Sequence, residues 1–345
     1  MSEVTFLYLS QEDVIAAGGL DMAATMETIE AVLALHARGD VVQPVKPTLR
    51  WGDALDTEET RGRIMAMPAY VGGAFDVAGI KWIPSMPANP RERGLPRASA
   101  LIILNDAYTG LPLAVMDGTI ISAMRTGAVT GVGARHLAAP GARVAGLCGA
   151  GVQSRTQLMA LRVALPRLAE ARIYDPQTEK CRRWAAEMSA ELNLEVTPVA
   201  SAEEAVRGAD VVVSATIATE PYIRPEWTKD GVLVANPSSF DLFFEVVEEA
   251  DKLVVDDWVQ DVAHDSRLPA RMVAAGRLSR ENLHAELGEV VIGVKPGRET
   301  PHEKIVFDYV GLAIEDVAAA HRVWKQAEKA GVGVRLPLWR KPHWL

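Results

Sequence analysis

The sequence predicts an α/β protein of two domains, and three observations carry that expectation. A length of 345 residues exceeds one ordinary domain. The second half alternates short apolar runs with helix-spaced segments, as in a parallel sheet covered by helices on both faces. The first half instead strings short strands together at close spacing, which points to a mostly antiparallel sheet.

Taken in order, Phe6 to Leu9 reads as a strand. Ser10, with Asp13 three positions on, forms an acidic variant of the capping box and opens a helix to about Ala17, which Gly18-Gly19 ends. Asp21 to Arg38 is a longer helix, with Met22, Met26, Ile29, Val32 and Leu33 at helical spacing. Pro44 and Pro47 bracket an extended segment through Leu49. Arg63 to Pro68, Val77 to Trp82 and Ser99 to Asp106 are strand-like, and Tyr108-Thr109-Gly110 turns into Leu113 to Met116. Gly118 to Leu137 reads as a connecting helix, with Pro140-Gly141 as the domain boundary. Beyond it, Ser201 to Val206 is a short capped helix. Asp210 to Thr216, Val232 to Asn236 and Lys252 to Asp256 are buried strands. Ile314 to Ala330 is an amphipathic helix.

The whole chain is organised around Arg143 to Ser154. Val144, Ala145, Leu147 and Cys148 supply a buried strand. Gly149 and Gly151 allow a sharp turn and a close ligand approach, and the helix from Gln153 to Leu165 directs its free N–H groups at a pyrophosphate. This is the dinucleotide-binding pattern, with Val152 and Gln153 inside the turn and Ser154 in place of the usual third glycine. A second strand, Glu170 to Tyr174, ends in Asp175. That acid lies roughly 20–25 residues past the glycines, where a carboxylate accepts hydrogen bonds from a ribose 2′-OH and repels a 2′-phosphate. NAD is therefore expected over NADP.

Composition narrows the partners. A net charge of −9 argues against nucleic acid or an anionic membrane as the main partner. No apolar run reaches the length of a membrane span, and the acid at Glu3 with no basic n-region argues against a signal peptide. Cys148 and Cys181 give neither a disulfide framework nor zinc spacing, so a cytoplasmic protein with reduced thiols is expected. Asp261, His264 and Asp265 have the residue types of metal ligands but read better as a solvated loop, and no metal is expected.

Several blocks together resemble the ornithine cyclodeaminase/mu-crystallin family over nearly the full length. They are Met67-Pro68-Ala69-Tyr70, Gly79-Ile80-Lys81, Gly94-Leu95-Pro96, Asn105-Asp106 with Thr109-Gly110, Ser122 to Ala128, Gly149 to Gln153, Ala209 to Thr216 and Val310 to Asp316. Arg125-Thr126-Gly127-Ala128 and the Gly-x-Gly-x-Gln turn are the most specific pair. Phe6 to Ser10 and Gly131 to Leu137 look closest to a family branch that carries a tyramine oxidase label. The resemblance implies a homodimer in which a Rossmann-type domain, 139–311, is inserted in an α+β substrate and dimerisation domain, 1–138 completed by 312–345. It implies hydride transfer at the carbon of a C=N bond beside a carboxylate. The substrate would be an amino acid or its imine, handled by an imine reductase, an amino-acid dehydrogenase or a deaminating cyclase. The competing reading is a non-catalytic dinucleotide-binding protein or an accessory component of an amine oxidase.

Residue roles follow from the same resemblance. Lys81, an ordinary surface lysine by strand alternation, is implied to face the substrate and hold a carboxylate or move a proton. Asp241 matches an acid beside the nicotinamide that handles the amine proton, although Leu242-Phe243-Phe244-Glu245 replaces the family's loop there and a turn-capping role is the alternative. Arg125 is implied to sit at the cofactor phosphates or the substrate carboxylate, with Thr126, Thr216 and Asn236 completing the cofactor set. Lys46 stands where the family has arginine, so Arg50 is a candidate to take over. Arg97 and Tyr309 are larger than the family's threonine and serine. Together with Val310 they are expected to shape a pocket that does not suit ornithine.

Overall fold

The computed structural model describes residues 3–52 and 60–344. The chain divides into two compact units, Met1–Arg125 with Leu312–Leu345, and Thr126–Gly311.

In the first unit, one sheet runs in the spatial order Val334–Trp339, Val4–Leu9, Pro112–Asp117, Leu101–Asp106, Val77–Ser85, Thr60–Val71 and Val41–Val42, and Thr48–Gly52 also pairs with Thr60–Val71. The neighbours are antiparallel except Val4–Leu9 with Pro112–Asp117, which run parallel. The C-terminal strand is an addition to the elements expected from the sequence. Pro337 inside it argues against a central strand, and it lies at the sheet edge, where a missing N–H is tolerated. The capping box forms as expected, with Asp13 N donating to Ser10 Oγ and Ser10 N to Asp13 Oδ2. Asp21 caps the helix Met22–Ala37 by accepting from Ala24 N at 3.0 Å. The helix Ala313–Ala330 packs on that helix and on the strands Thr60–Val71 and Val77–Ser85. Its buried residues include Ala313, Ala318, Ala319 and Ala320 beside the larger Ile314, Val317, Val323 and Trp324.

The second unit is a wholly parallel sheet. Its spatial order is Glu195–Pro198, Glu170–Tyr174, Val144–Cys148, Val211–Ser214, Leu233–Asn236, Ile305–Asp308, Lys252–Val255 and Ala285–Glu286. The first three strands in chain order run outward in one direction from Val144–Cys148. The fourth, Val211–Ser214, takes up its other side. The direction of winding therefore reverses between these two strands, and in doubly wound sheets the crevice at the carboxyl ends of such a pair is where ligands lodge.

The division falls inside the helix Thr119–Leu137, at Arg125/Thr126, rather than at the Pro140-Gly141 turn. Residues from Thr126 onward pack within the second unit. A Cβ on Gly127 would lie 2.4 Å from Thr156 O, so only glycine lets this helix approach Val152–Ala164 so closely.

Candidate functional site

Lys81 occupies the buried face of Val77–Ser85, while its neighbour Trp82 is 42% exposed on the other. At 1% exposure, Lys81 is not the surface lysine that alternation alone allows. Its Nζ donates to Ser122 Oγ at 3.0 Å and forms a close ion pair with Asp316 Oδ2 at 2.7 Å. Burial pushes the Lys81 pKa down to about 7, helped by the charges of Arg125 and Lys46 and opposed by Asp316. Arg125 is also buried, and it donates from Nε to Asp316 Oδ1 at 2.9 Å and from Nη1 to Glu315 Oε2 at 2.7 Å. Burial disfavours its charge, but Asp316 and Glu315 outweigh that and raise its pKa. Nη2 takes part in neither pair. Leu312 N fixes Glu315 from behind by donating to Oε2 at 2.9 Å.

Glu315 and Asp316, in the first turn of Ala313–Ala330, join the site without having been expected there. The available signal is two adjacent acids opening a helix whose next four residues, Val317 to Ala320, are all apolar. Lys46 is buried as well, whereas Arg50 and Arg97 are half-buried. Lys81 and Arg125 are paired with Asp316 and Glu315, so removing one carboxylate leaves buried charge uncompensated. Asp316→Asn is expected to destabilise the first unit by about 3–5 kcal/mol, read as an earlier urea transition.

In the second unit, the Val144–Cys148 strand delivers Gly149 at φ 95°, where a Cβ would meet Ala215 O at 2.5 Å. The turn therefore needs glycine both for its left-handed backbone and for contact with the neighbouring strand's end. Ser154 is fully buried and donates its hydroxyl to Gly149 O, which explains how serine serves at the third-glycine position. Gly151 caps the helix Val152–Ala164 with no side-chain partner, and a Cβ there would meet nothing within 4 Å. Open space thus lies over a helix N-terminus, beside a 66% exposed Val152 and next to Gln153, at the point where the winding reverses. Such a cradle fits a pyrophosphate.

Asp175 follows the second strand. Burial would raise its pKa, but N–H groups of Gln177 and Ala150, each at 2.9 Å, and Lys180 Nζ at 3.1 Å hold it below the ordinary carboxylate range. Cys148 is buried, and burial pushes its thiol up to about 12, out of nucleophilic range.

Asp241 is fully buried. Its Oδ2 accepts from Ser214 Oγ, from Thr216 Oγ1 at 2.7 Å and from Tyr222 OH at 3.2 Å, while Oδ1 has no partner among the described residues. This is more than a turn cap. Ser214 and Tyr222 escape a reading of the sequence, because their convergence depends on strand order and on a bridge between Ile223 and Leu242. Thr216 N also donates to Ser238 Oγ at 2.8 Å. Asn236 is buried and donates to Asp308, which in turn accepts from Arg267 Nη2 at 2.6 Å. Val310 N and Gly311 N donate to Asp256 at 3.3 and 2.6 Å.

Two expectations are corrected. Tyr309 does not open onto a pocket; it is 1% exposed and stacks on Phe307 with ring centroids 4.9 Å apart. Its hydroxyl lies 2.8 Å from Thr130 Oγ1, donates to Thr126 O at 3.1 Å and accepts from Gln157 Nε2 at 2.8 Å, so the added phenol fills the core. Asp261 is not in a solvated loop either. It is fully buried on the helix Trp258–Val262 and pairs with Arg267 Nε at 3.4 Å.

A wholly parallel, doubly wound sheet with a glycine turn at its reversal, inserted in an α+β unit, defines a Rossmann-type two-unit protein. The chain belongs to the ornithine cyclodeaminase/mu-crystallin family, whose profile matches residues 8–331. It is 38% identical to an N-((2S)-2-amino-2-carboxyethyl)-L-glutamate dehydrogenase of Staphylococcus aureus over 96% of this chain and 98% of that one. Among solved structures it is similar to Thermococcus litoralis Δ1-pyrroline-2-carboxylate reductase in complex with NADH and L-proline. That match has a TM-score of 0.86, 34% identity, and coverage of 95% of this chain and 99% of that one. It is equally similar to an archaeal alanine dehydrogenase dimer with bound NAD, at TM-score 0.86 and 34% identity, over 97% of this chain and all 100% of the other.

Proposed function

We propose that the protein is an NAD-dependent enzyme that interconverts an amino acid and its imine by hydride transfer at the α-carbon, with net redox. The observation that carries this reading is the open glycine turn at the reversal of the parallel sheet. The dehydrogenase and reductase names of the relatives support it. Gly149, Gly151, Val152 and Gln153 would hold the pyrophosphate and Asp175 the adenosine ribose. Thr126, Thr216 and Asn236 would line the remainder. Bound NAD supplies the acceptor for the hydride that leaves the α-carbon, or NADH the donor in the reverse direction.

The chain's own groups do the rest. Arg125, through the Nη2 left outside its pairs with Asp316 and Glu315, and Lys46 orient the substrate carboxylate. Lys81, poised near neutrality, carries a proton to or from the substrate. Asp241 takes the amine proton as the C=N bond forms. Its unpartnered Oδ1 suits that task, and three hydroxyls fix the carboxylate in place despite the altered loop that follows, which supports the catalytic reading over the non-catalytic one. The enzyme would work in the cytoplasm as a homodimer. Among the described residues, no helix is long and apolar enough to cross a membrane.

The test is a panel of 2-oxo acids with ammonia or primary amines, followed by NADH absorbance. NADH consumption is expected, with NADPH used less well because Asp175 repels a 2′-phosphate. Ammonia release from diamino acids without net NADH change would establish internal hydride return instead. No turnover in either direction would overturn the enzyme reading.

A further inference from the structure

The sheet of the first unit carries a second cationic row beyond Lys81. Thr48–Gly52, Thr60–Val71 and Val77–Ser85 pair so that Arg50 lies directly across from Arg63, and Arg63 across from Ser85. Opposed residues in antiparallel strands share a face. A bridge between Ser85 and Ala98 adds the next segment, and Arg97 Nε donates to Ser85 Oγ at 3.4 Å. Three guanidinium groups therefore gather at one end of the sheet. All three are half-buried. Burial, then the charges of Arg97 and Arg50, push Arg63's pKa down. Among the described residues, neither Arg63 nor Arg97 forms an ion pair with a carboxylate. Guanidinium does not shed its proton in proteins, so such a group is relieved by an anion rather than by titration.

The same face leads to Lys81. Met67 is opposite Lys81, Met65 is opposite Ile83, and Arg63 is opposite Ser85, all in one register. At ~3.3 Å per residue, the Lys81 and Ser85 rows are about 13 Å apart along the strand. Between them lies a half-buried apolar floor of Met65 and Ile83 with Thr48 beside it. Cationic groups at both ends of an apolar floor match a molecule with a carboxylate at both ends of a methylene chain.

We propose that Arg63 and Arg97, with Arg50 beside them, hold a second carboxylate of the substrate, so that the enzyme acts on amino acids or imines bearing a distal acid. This rests on the proposed reaction only for the α-carboxylate end at Lys81 and Arg125. The planar forks of Arg63 and Arg97 suit bidentate carboxylate recognition, which a neutral or cationic side chain cannot satisfy.

The NADH-loaded protein is titrated calorimetrically with 2-oxoglutarate and with 2-oxopentanoate, which share a five-carbon chain and differ in the distal group. Charge-assisted hydrogen bonds to one carboxylate correspond to a preference of about 10–100-fold for 2-oxoglutarate. Arg63→Met and, independently, Arg97→Met are expected to collapse that ratio toward one, with Arg63→Lys retaining part of it. Equal binding of the two acids by the unaltered protein, or an unchanged ratio in both methionine variants, overturns the assignment. NADH oxidation with each acid and ammonia is measured in parallel. A binding preference without turnover supports the distal-carboxylate site and sinks the redox reading. Turnover of both acids without preference does the reverse.

Discussion

Lys81→Met is expected to lower turnover by about 10²–10⁴-fold, the range for loss of a positioned general acid or base. Dinucleotide affinity, read by NADH fluorescence, should not change, because the glycine turn and Asp175 belong to the other unit. The pH profile gives a sharper check. Lys81's folded pKa is about 7, well below that of a free lysine, so its cation is lost as pH rises through about 7. Imine reduction, which needs a proton donor, should slow across that range. Amine oxidation, which needs the free base, should speed up. Lys81→Met should erase this limb in both directions. Lys81→Arg should keep a cation but lose the limb, since guanidinium does not titrate there. A limb near 7 that persists in Lys81→Met would assign the proton to another group.

Asp241→Asn is expected to cost a similar factor, about 10²–10⁴-fold in kcat, for a different reason. The amide is isosteric, and the hydroxyls of Ser214, Thr216 and Tyr222 can turn to meet it, so the fold should survive. What disappears is a group able to accept the amine proton. KM for the 2-oxo acid should move little, because Arg125 and Lys46, the cations proposed to bind its carboxylate, are in the other unit. Equal losses in kcat and in thermal stability would instead identify Asp241 as a structural buried acid.

The parts of the molecule legible in the sequence are those set by neighbours along the chain. The capping box at Ser10, the capped helix at Ser201, the glycine turn and the long helices are local arrangements, and they form at or within a residue or two of their expected ends. Lys81, Arg125 and Asp241 are accessible through the family resemblance. What local pattern cannot supply is register. Arg63 reads as one residue of a strand; its alignment with Arg50 and Ser85 appears only when three strands pair. Asp316 reads as a first-turn acid of a distant helix, yet it is the counter-ion of both Lys81 and Arg125. Tyr309 and Asp261 mislead for the complementary reason. Both residue types are usually found with at least one face in water, and here full burial is made possible by hydrogen-bond and ion-pair partners far away in sequence.

The strand Val334–Trp339 pairs with Val4–Leu9, and Asp316 comes from the helix just before it. The first unit is thus assembled from both extremities of the polypeptide. During synthesis, Thr126–Gly311 is complete as a continuous stretch before Leu312 is made. The middle of the chain can therefore fold before the flanking unit is complete. Until then Lys81 and Arg125 lack their counter-ions, which arrive with the helix Ala313–Ala330, and the sheet lacks the strand Val334–Trp339.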